Sequence, residues 1–345
     1  MSNATLSLNT VDYPFETLVM RTSSEPPKLI LNPEFQRKYK WDKEGWTRAS
    51  KFIESCLMRI PLPSCYFAET DDGRQVVIDG VQRITTIKRF FNDEFALEGL
   101  SAFPDLEGKR FSQLGPLQAD LESTTIRCII LRKENPQELV TEIFARLNQG
   151  AVELSDQEIR HALFSSKFDD LLVTLSERDV VKDFGSRKDG SSPPKDSREL
   201  EELVLRFFAF HEDGNNYEGN LSKFLDNFMS KAMEFDEAKL TELERNFDVA
   251  LSACREIFDD DEIFTDISKD RRRQGVVYYD LLMNSLGDIQ VGILKAKRAD
   301  IRNAFVELCS SEEFRRSTAG GLQRKSSINR RNTEWSKRLE EVVSA

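Results

Sequence analysis

The residues best suited to chemistry lie in a short polar turn, Asp79–Arg83, which follows the apolar run Gln75–Ile78. A strand that enters a glycine turn and then a helix brings backbone N–H groups and the positive end of the helix dipole to one place. Arg83 adds a forked cation there, which suits a phosphate group. The simpler interpretation is a tight strand-to-helix turn with a surface arginine.

Each side chain of this turn has a role that its chemistry suggests. Asp79 is suited to capping the helix, holding Mg²⁺ or orienting a water molecule. Gln82 is suited to positioning a water nucleophile. We predict Asp79, Gln82 and Arg83 as catalytic residues, Asp79 as the metal ligand, and Gly80, Arg83 and Thr85 as contacts to a nucleotide.

Two further segments offer polar groups to the same site. Gln36 and Arg37 lie among aromatic residues in the segment 32–41 and provide an amide and a guanidinium for a phosphate or a base. Arg146 and Asn148 lie where a predicted helix ends, before the predicted turn glycine Gly150. Anchoring aromatics and a plain helix-to-helix turn are the structural alternatives for these two segments.

The three segments together resemble a known family. Their motifs are Phe35-Gln36-Arg37-x-Tyr39-x-Trp41, Asp79-Gly80-Val81-Gln82-Arg83-Ile84-Thr85-Thr86 and Arg146-Leu147-Asn148-x-Gly150-x-x-x-Leu154-Ser155. In this order they resemble the N-terminal domain of the GmrSD-type restriction endonucleases, a domain similar in fold to ParB and sulfiredoxin.

The resemblance implies a domain that binds and hydrolyses a nucleoside triphosphate in a prokaryotic defence system against phage or modified DNA. The family's central motif usually reads Asp-Gly-Gln-Gln-Arg, and here Val81 replaces the first Gln. The amide of that residue is absent from this chain, which favours nucleotide binding over hydrolysis. Larger family members carry a second, histidine-based nuclease domain. This chain has only His161 and His211, so we expect any nuclease to be a separate subunit or to use the first domain.

The pattern of elements predicts an α+β chain in two parts. Strand signals at Lys28–Leu31, Ser64–Ala68, Gln75–Ile78 and Thr124–Leu131 alternate with helical periodicity, which indicates a mixed α/β domain with a small sheet over residues 1–154. Residues 1–27 are predicted as an irregular arm. Residues 155–345 are predicted as an all-α domain, with helices at 156–164, 167–182, 197–211, 220–234, 236–258, 276–286, 289–309 and 334–343.

Charge and composition restrict the partners. The net charge of −11 argues against a wholly electrostatic DNA-binding protein. From Arg315 to Arg338, however, eight Lys and Arg residues face a single acid, Glu334. This basic C-terminal segment, with the smaller run Arg271–Arg273, is a candidate contact to DNA phosphates.

Five scattered cysteines without metal-ligand spacing indicate buried thiols in a reducing compartment. No apolar run approaches the length of a membrane span, and no secretory signal is visible, so we expect a cytoplasmic protein with no membrane partner.

Three functions follow as hypotheses. The leading one is an NTP-binding, Mg²⁺-dependent NTP hydrolase of a restriction or phage-defence system. The second is a metal-dependent DNA endonuclease that uses the N-terminal domain. The third is a non-catalytic, nucleotide-sensing regulatory subunit. The helical half is open to interpretation as a dimer surface, a DNA platform or a scaffold.

Overall fold

The structure is a computed structural model that describes residues 6–31, 39, 41–42, 45–70, 72–148, 155–185 and 198–344. The chain divides into two compact units, Met1–Leu154 and Ser155–Ala345. Among the described residues, none of the helices combines the length and apolar character that crossing a lipid bilayer requires.

The first unit is built on a five-stranded mixed sheet. Its strands are β1 (Leu8–Pro14), β2 (Leu29–Ile30), β3 (Cys65–Glu69), β4 (Gln75–Asp79) and β5 (Thr125–Leu131). Their spatial order is β1-β5-β3-β4-β2. The β1–β5 and β3–β4 pairs are antiparallel, whereas β3–β5 and β2–β4 are parallel.

Within the described residues of this unit, five α-helices accompany the sheet. They are α1 (Phe15–Ser23), α2 (Thr47–Leu57), α3 (Val81–Phe91), α4 (Leu117–Ser123) and α5 (Gln137–Asn148). The core contains buried residues from the sheet, such as Phe67 and Val77, and from α3, such as Ile84 and Ile87. This core fixes α3 against the sheet at the point where β4 ends, and so positions the Asp79–Arg83 turn.

The prediction of an irregular arm over residues 1–27 is wrong, because residues 8–23 form β1 and α1. Most β1 side chains are exposed, so the strand shows no alternation of apolar and polar residues. Its pairing with β5 is a contact between distant parts of the chain that no local pattern encodes. Helix α1 follows Pro14 without a side-chain cap.

The second unit is helical in the part of it that the structure describes. Its helices are α6 (Asp156–Leu163), α7 (Lys167–Ser176), α8 (Asp179–Lys182), α9 (Glu199–Asp213), α10 (Leu221–Ala232), α11 (Glu237–Ile257), α12 (Val276–Leu286), α13 (Val291–Ala296), α14 (Arg298–Ser310), α15 (Glu312–Thr318) and α16 (Lys325–Ser344). An aromatic-rich core holds them together, with Phe207, Phe208 and Phe247 at its centre. The predicted mixed domain with a small sheet, followed by a helical half, is confirmed at this level. The likeness to ParB and sulfiredoxin stays a prediction.

The last helix differs most from its prediction. Helix α16 begins at Lys325, nine residues before the predicted start at residue 334. Its first turns are rich in Lys, Arg, Ser and Asn, a composition that reads as a loop because an apolar stripe is missing there. Burial of Arg331 and Trp335 against the unit replaces that stripe.

Candidate functional site

The Asp79–Arg83 turn joins β4 to α3 through a glycine that no other residue can replace without strain. Gly80 has φ of +101°, a left-handed conformation that L side chains rarely adopt. A Cβ atom at this position would collide with the Sγ of Cys65 and lie 3.1 Å from the Cβ of Cys65. The turn therefore passes directly over β3.

Arg83 is bound to its own chain. Its guanidinium donates to the Asp79 carboxylate at 2.6 Å, to the carbonyl of Ser64 at 3.3 Å and to the carbonyl of Pro63. The Arg83 side chain is 13% exposed and that of Asp79 is 32% exposed. In this state the cation predicted for a phosphate and the carboxylate predicted for a metal neutralise each other.

A pair of thiols lies beneath the turn. Cys65 in β3 and Cys128 in β5 are partners across the parallel strands, and both are fully buried. The hydrogen bond with Cys128, together with the charge of Arg83, lowers the pKa of Cys65. No local pattern predicts this pair, because the cysteines are far apart in the chain and only the strand register joins them.

The first and second motifs meet at α3. The hydroxyl of Tyr39 is hydrogen bonded to Thr86 Oγ1 at 2.7 Å in a buried position. Burial raises the pKa of Tyr39. The guanidinium of Arg89 lies over the rings of Tyr39 and Trp46, at 5.0 Å and 4.4 Å from their centroids. These contacts hold Tyr39 beside the middle and the last turn of α3.

Thr85 and Thr86, both within α3, differ in the hydrogen bonding of their hydroxyl groups. Thr86 Oγ1 lies 2.7 Å from the carbonyl of Gln82, one turn earlier. Thr85 is 5% exposed, and its hydroxyl has no hydrogen-bond partner within the described ranges. A buried hydroxyl without a hydrogen-bond partner destabilises the folded protein. The Thr85 hydroxyl is therefore a candidate to bind a polar atom of a ligand.

The third motif is only partly described. Arg146 lies on the exposed surface of α5 and pairs with Glu142 one turn before it. Asn148 is the last residue of α5, and its side chain lies outside the described part, as does Gly150. Gln36 and Arg37 of the first motif also lie outside the described residues.

No group of three or more His, Cys, Asp or Glu side chains suited to a metal ion occurs among the residues that the structure describes. The two histidines have structural surroundings. His161 Nδ1 lies 2.6 Å from Asp169 Oδ2, and His211 stacks on Phe207 with ring centroids 5.3 Å apart. All five cysteines are free and buried.

Comparison with known proteins places the turn in a family. Residues 16–165 match the family model described as the GmrSD restriction endonuclease, N-terminal domain. This match supports the GmrSD-type family for this part of the chain, and the domain indicates a protein of a restriction or phage-defence system. The matched range includes the whole Asp79–Arg83 turn and extends past Leu154 into the second unit. No curated protein and no solved structure matches the chain.

Proposed function

We propose that the N-terminal domain binds a nucleoside triphosphate at the start of α3, as part of a restriction or phage-defence system. The observation that carries this proposal is the hydrogen bond between Tyr39 and Thr86, because it joins two of the three motifs. Gln36 and Arg37 are two or three residues from Tyr39.

The start of α3 has properties that suit a phosphate. The first N–H groups of a helix have no intrahelical partner, and no side chain caps this helix. Gly80 lets the backbone of the turn pass close over Cys65, and this packing positions the start of α3. The buried Thr85 hydroxyl supplies a further polar group without a partner in the described chain.

The Asp79–Arg83 ion pair defines how a nucleotide would act on this domain. A phosphate that approaches Arg83 competes with the Asp79 carboxylate for the same guanidinium. Release of Asp79 would free a carboxylate for Mg²⁺, which proteins often bind through one or two carboxylates together with substrate phosphates. A bound Mg²⁺ would neutralise charge on the phosphates during hydrolysis. Gln82 would then orient the attacking water.

A calorimetric titration tests nucleotide binding. We expect the full chain to bind at least one of ATP, GTP, CTP or UTP in the presence of Mg²⁺ with a micromolar Kd. Arg83→Ala should weaken that affinity at least tenfold. Arg127→Ala is the matched control, because Arg127 pairs with Asp12 on the exposed β1–β5 edge of the same unit. Absence of binding for all four nucleotides would refute the proposal.

The regulatory alternative is favoured by one specific observation. The Asp79–Arg83 ion pair occupies two of the three predicted catalytic side chains, and Val81 stands where the family usually has Gln. A domain that binds nucleotide without hydrolysing it would act as a sensor. Release of phosphate by the wild-type chain, lost in Gln82→Ala, would support the hydrolase. Tight binding without phosphate release would support the sensor.

A further inference from the structure

The first half of α16 presents a surface made of hydrogen-bond donors and small polar groups. Its exposed residues lie on the side of the helix opposite the buried Arg331, Trp335 and Leu339. We call this surface the donor face, and it consists of Lys325, Ser326, Asn329, Arg330, Thr333, Ser336 and Lys337. Glu334 lies beside this face, one turn after Arg330, and pairs with Arg338, and the first acidic residue opposite Arg331 is Glu340.

The cations of the donor face are not neutralised by the protein. Within the described part of the chain, no carboxylate lies at ion-pair distance from Lys325, Arg330 or Lys337, and the same holds for Arg324 just before the helix. Neighbouring cations differ from them. Arg316 pairs with Glu312, and Arg338 pairs with Glu334. The basic segment thus contains both paired and unpaired cations.

Arg331 holds in place the loop that leads into α16. Its buried guanidinium donates to the carbonyl of Ser317 at 3.0 Å and to the carbonyl of Leu322 at 2.8 Å. The hydroxyl of Tyr217 donates to the carbonyl of Gln323. Arg331 is therefore a positioning residue, and the loop that leads to Lys325 is held in place before any ligand arrives.

The helix dipole adds to the positive potential at this end of α16. The first turn of the helix contains Lys325 and no acidic residue. Cations near a helix N-terminus are unfavourable to the helix, and an anion there is favourable. A bound anion would relieve this repulsion, so both the side chains and the backbone favour the same kind of ligand.

We propose that the donor face binds the phosphate backbone of duplex DNA. The proposal rests on the proposed role in a restriction or phage-defence system, but it does not depend on the nucleotide site. Lys, Arg, Ser, Thr and Asn are the side chains that commonly contact DNA phosphates. Twelve residues of helix between Lys325 and Lys337 span about 18 Å, roughly five base-pair steps.

The composition of the donor face argues for a duplex over a single strand. Single-stranded nucleic acid is usually held by aromatic side chains on which the bases stack. The donor face contains no aromatic residue, since the only one in this stretch, Trp335, is buried. Contacts confined to phosphates carry no direct sequence information, so we expect binding that is largely independent of DNA sequence.

Fluorescence anisotropy with a labelled 25-base-pair DNA duplex, at 50 mM salt and without nucleotide, tests this proposal on the full chain. We expect the combined variant Lys325→Ala, Arg330→Ala and Lys337→Ala to bind at least tenfold more weakly than wild type. The slope of log K against log salt should become less negative by about 2 to 3, because each lost phosphate contact accounts for about 0.9.

A matched control removes three other exposed cations of the same unit, with Lys231→Ala, Arg245→Ala and Arg255→Ala. Its net charge equals that of the test variant, so its DNA affinity should stay within about twofold of wild type. Equal weakening of both variants would overturn the proposal. So would the absence of wild-type binding at 50 mM salt, or equal or tighter binding of an RNA duplex or of single-stranded DNA.

Lysine acetylation on the wild-type chain gives a readout that does not depend on how a variant folds. Duplex DNA should protect Lys325 and Lys337 from modification, whereas the exposed Lys295 on α13 should react equally with and without DNA. Equal reactivity of all three lysines would refute the assignment. Arg83→Ala should retain duplex binding, so that failure of the nucleotide site and failure of the donor face are distinguishable.

Discussion

The starts of α3 and α16 are both helix N-termini next to cations, yet the protein uses the two differently. At α3, Arg83 is largely buried and donates to Asp79 and to two backbone carbonyls. At α16, Lys325 and Arg330 are exposed and have no carboxylate partner among the described residues. The same local sequence signal therefore leads to a closed structural contact in one unit and an open surface in the other.

This difference shows that a cation near the start of a helix does not by itself indicate a ligand site. The hydrogen-bond and ion-pair partners of the cation decide whether it is available to a ligand. Arg83 must exchange partners to bind a phosphate, so its binding is coupled to a rearrangement of Asp79. Lys325 and Arg330 need no such exchange. Ligand binding at α3 should therefore change the conformation of the turn, whereas binding at α16 should follow salt concentration alone.

The largest effect is expected for Gly80→Ala, which breaks the closed turn at α3. A left-handed φ costs about 1–3 kcal/mol for a residue with a Cβ, and overpacking against Cys65 adds about 1–3 kcal/mol. We expect the free energy of unfolding to fall by about 3–5 kcal/mol in urea unfolding followed by circular dichroism.

Gly73→Ala is the matched control for that change. Gly73 has φ of +79°, but a Cβ there would meet no atom within 4 Å. Its loss should be confined to backbone strain, about 1–2 kcal/mol. Equal losses for the two variants would show that the contact with Cys65 does not restrict the turn.

Arg83→Ala should have the next largest effect, because it removes three hydrogen bonds and leaves Asp79 without its cation. Hydrogen bonds to charged groups contribute about 1.5–3 kcal/mol, so we expect a loss of about 2–3 kcal/mol without any ligand present. Arg330→Ala should change stability by less than about 0.5 kcal/mol, as exposed substitutions generally do. A stable Arg83→Ala variant would mean that the ion pair contributes little to the fold.

The ion pair of Arg272 allows the difference between paired and unpaired cations to be tested by changing the pH. It lies within the basic run Arg271–Arg273, but its side chain pairs with Glu262, which also accepts a hydrogen bond from Arg302 Nε at 2.9 Å. The hydrogen bonds from Arg302 lower the pKa of Glu262 below its ordinary value of 4.5.

A lowered pKa means that this stabilisation is fully present above pH 4.5 and is lost as the pH falls through the folded-state pKa. We expect Glu262→Gln to reduce the free energy of unfolding by about 1–2 kcal/mol at pH 7. The difference from wild type should shrink as the pH is lowered below 4.5 in urea titrations. A constant difference across this range would contradict the assignment.

The smallest effect on stability is expected for Arg146→Ala. Arg146 and Glu142 form an exposed i,i+4 pair, and such pairs contribute about 0.3–0.5 kcal/mol. Calorimetry with nucleotide separates the two roles of this residue. A weaker nucleotide affinity with unchanged stability would identify Arg146 as a ligand contact. Unchanged affinity would remove it from the predicted site.

Much of the fold was predictable where local pattern and burial agree. The apolar run before Gly80 and the helical spacing after it correctly predicted β4 and α3. β1 was missed because its side chains are mostly exposed and its partner strand is distant in sequence. The early start of α16 was missed because a polar helix turn has the composition of a loop.

The contact between the first two motifs was predictable, whereas the contacts within the turn were not, and the site residues stay a prediction. The motifs correctly identified Tyr39 and Thr86 as parts of neighbouring segments, as their hydrogen bond confirms. The partners of Arg83 were not predictable, because the carbonyls of Pro63 and Ser64 lie 20 and 19 residues earlier in the chain. Arg331, one of the eight bases of the C-terminal segment predicted to contact DNA, is buried.

The aromatic contacts beside α3 make tryptophan fluorescence a probe of this part of the molecule. Of the three tryptophans, Trp41 and Trp46 belong to the first unit, where the guanidinium of Arg89 on α3 lies over the Trp46 ring. Trp335 is buried in the second unit. Replacing Trp335 by Phe would leave an emission spectrum that comes from the first unit alone, so that movement of α3 is observable without a dye.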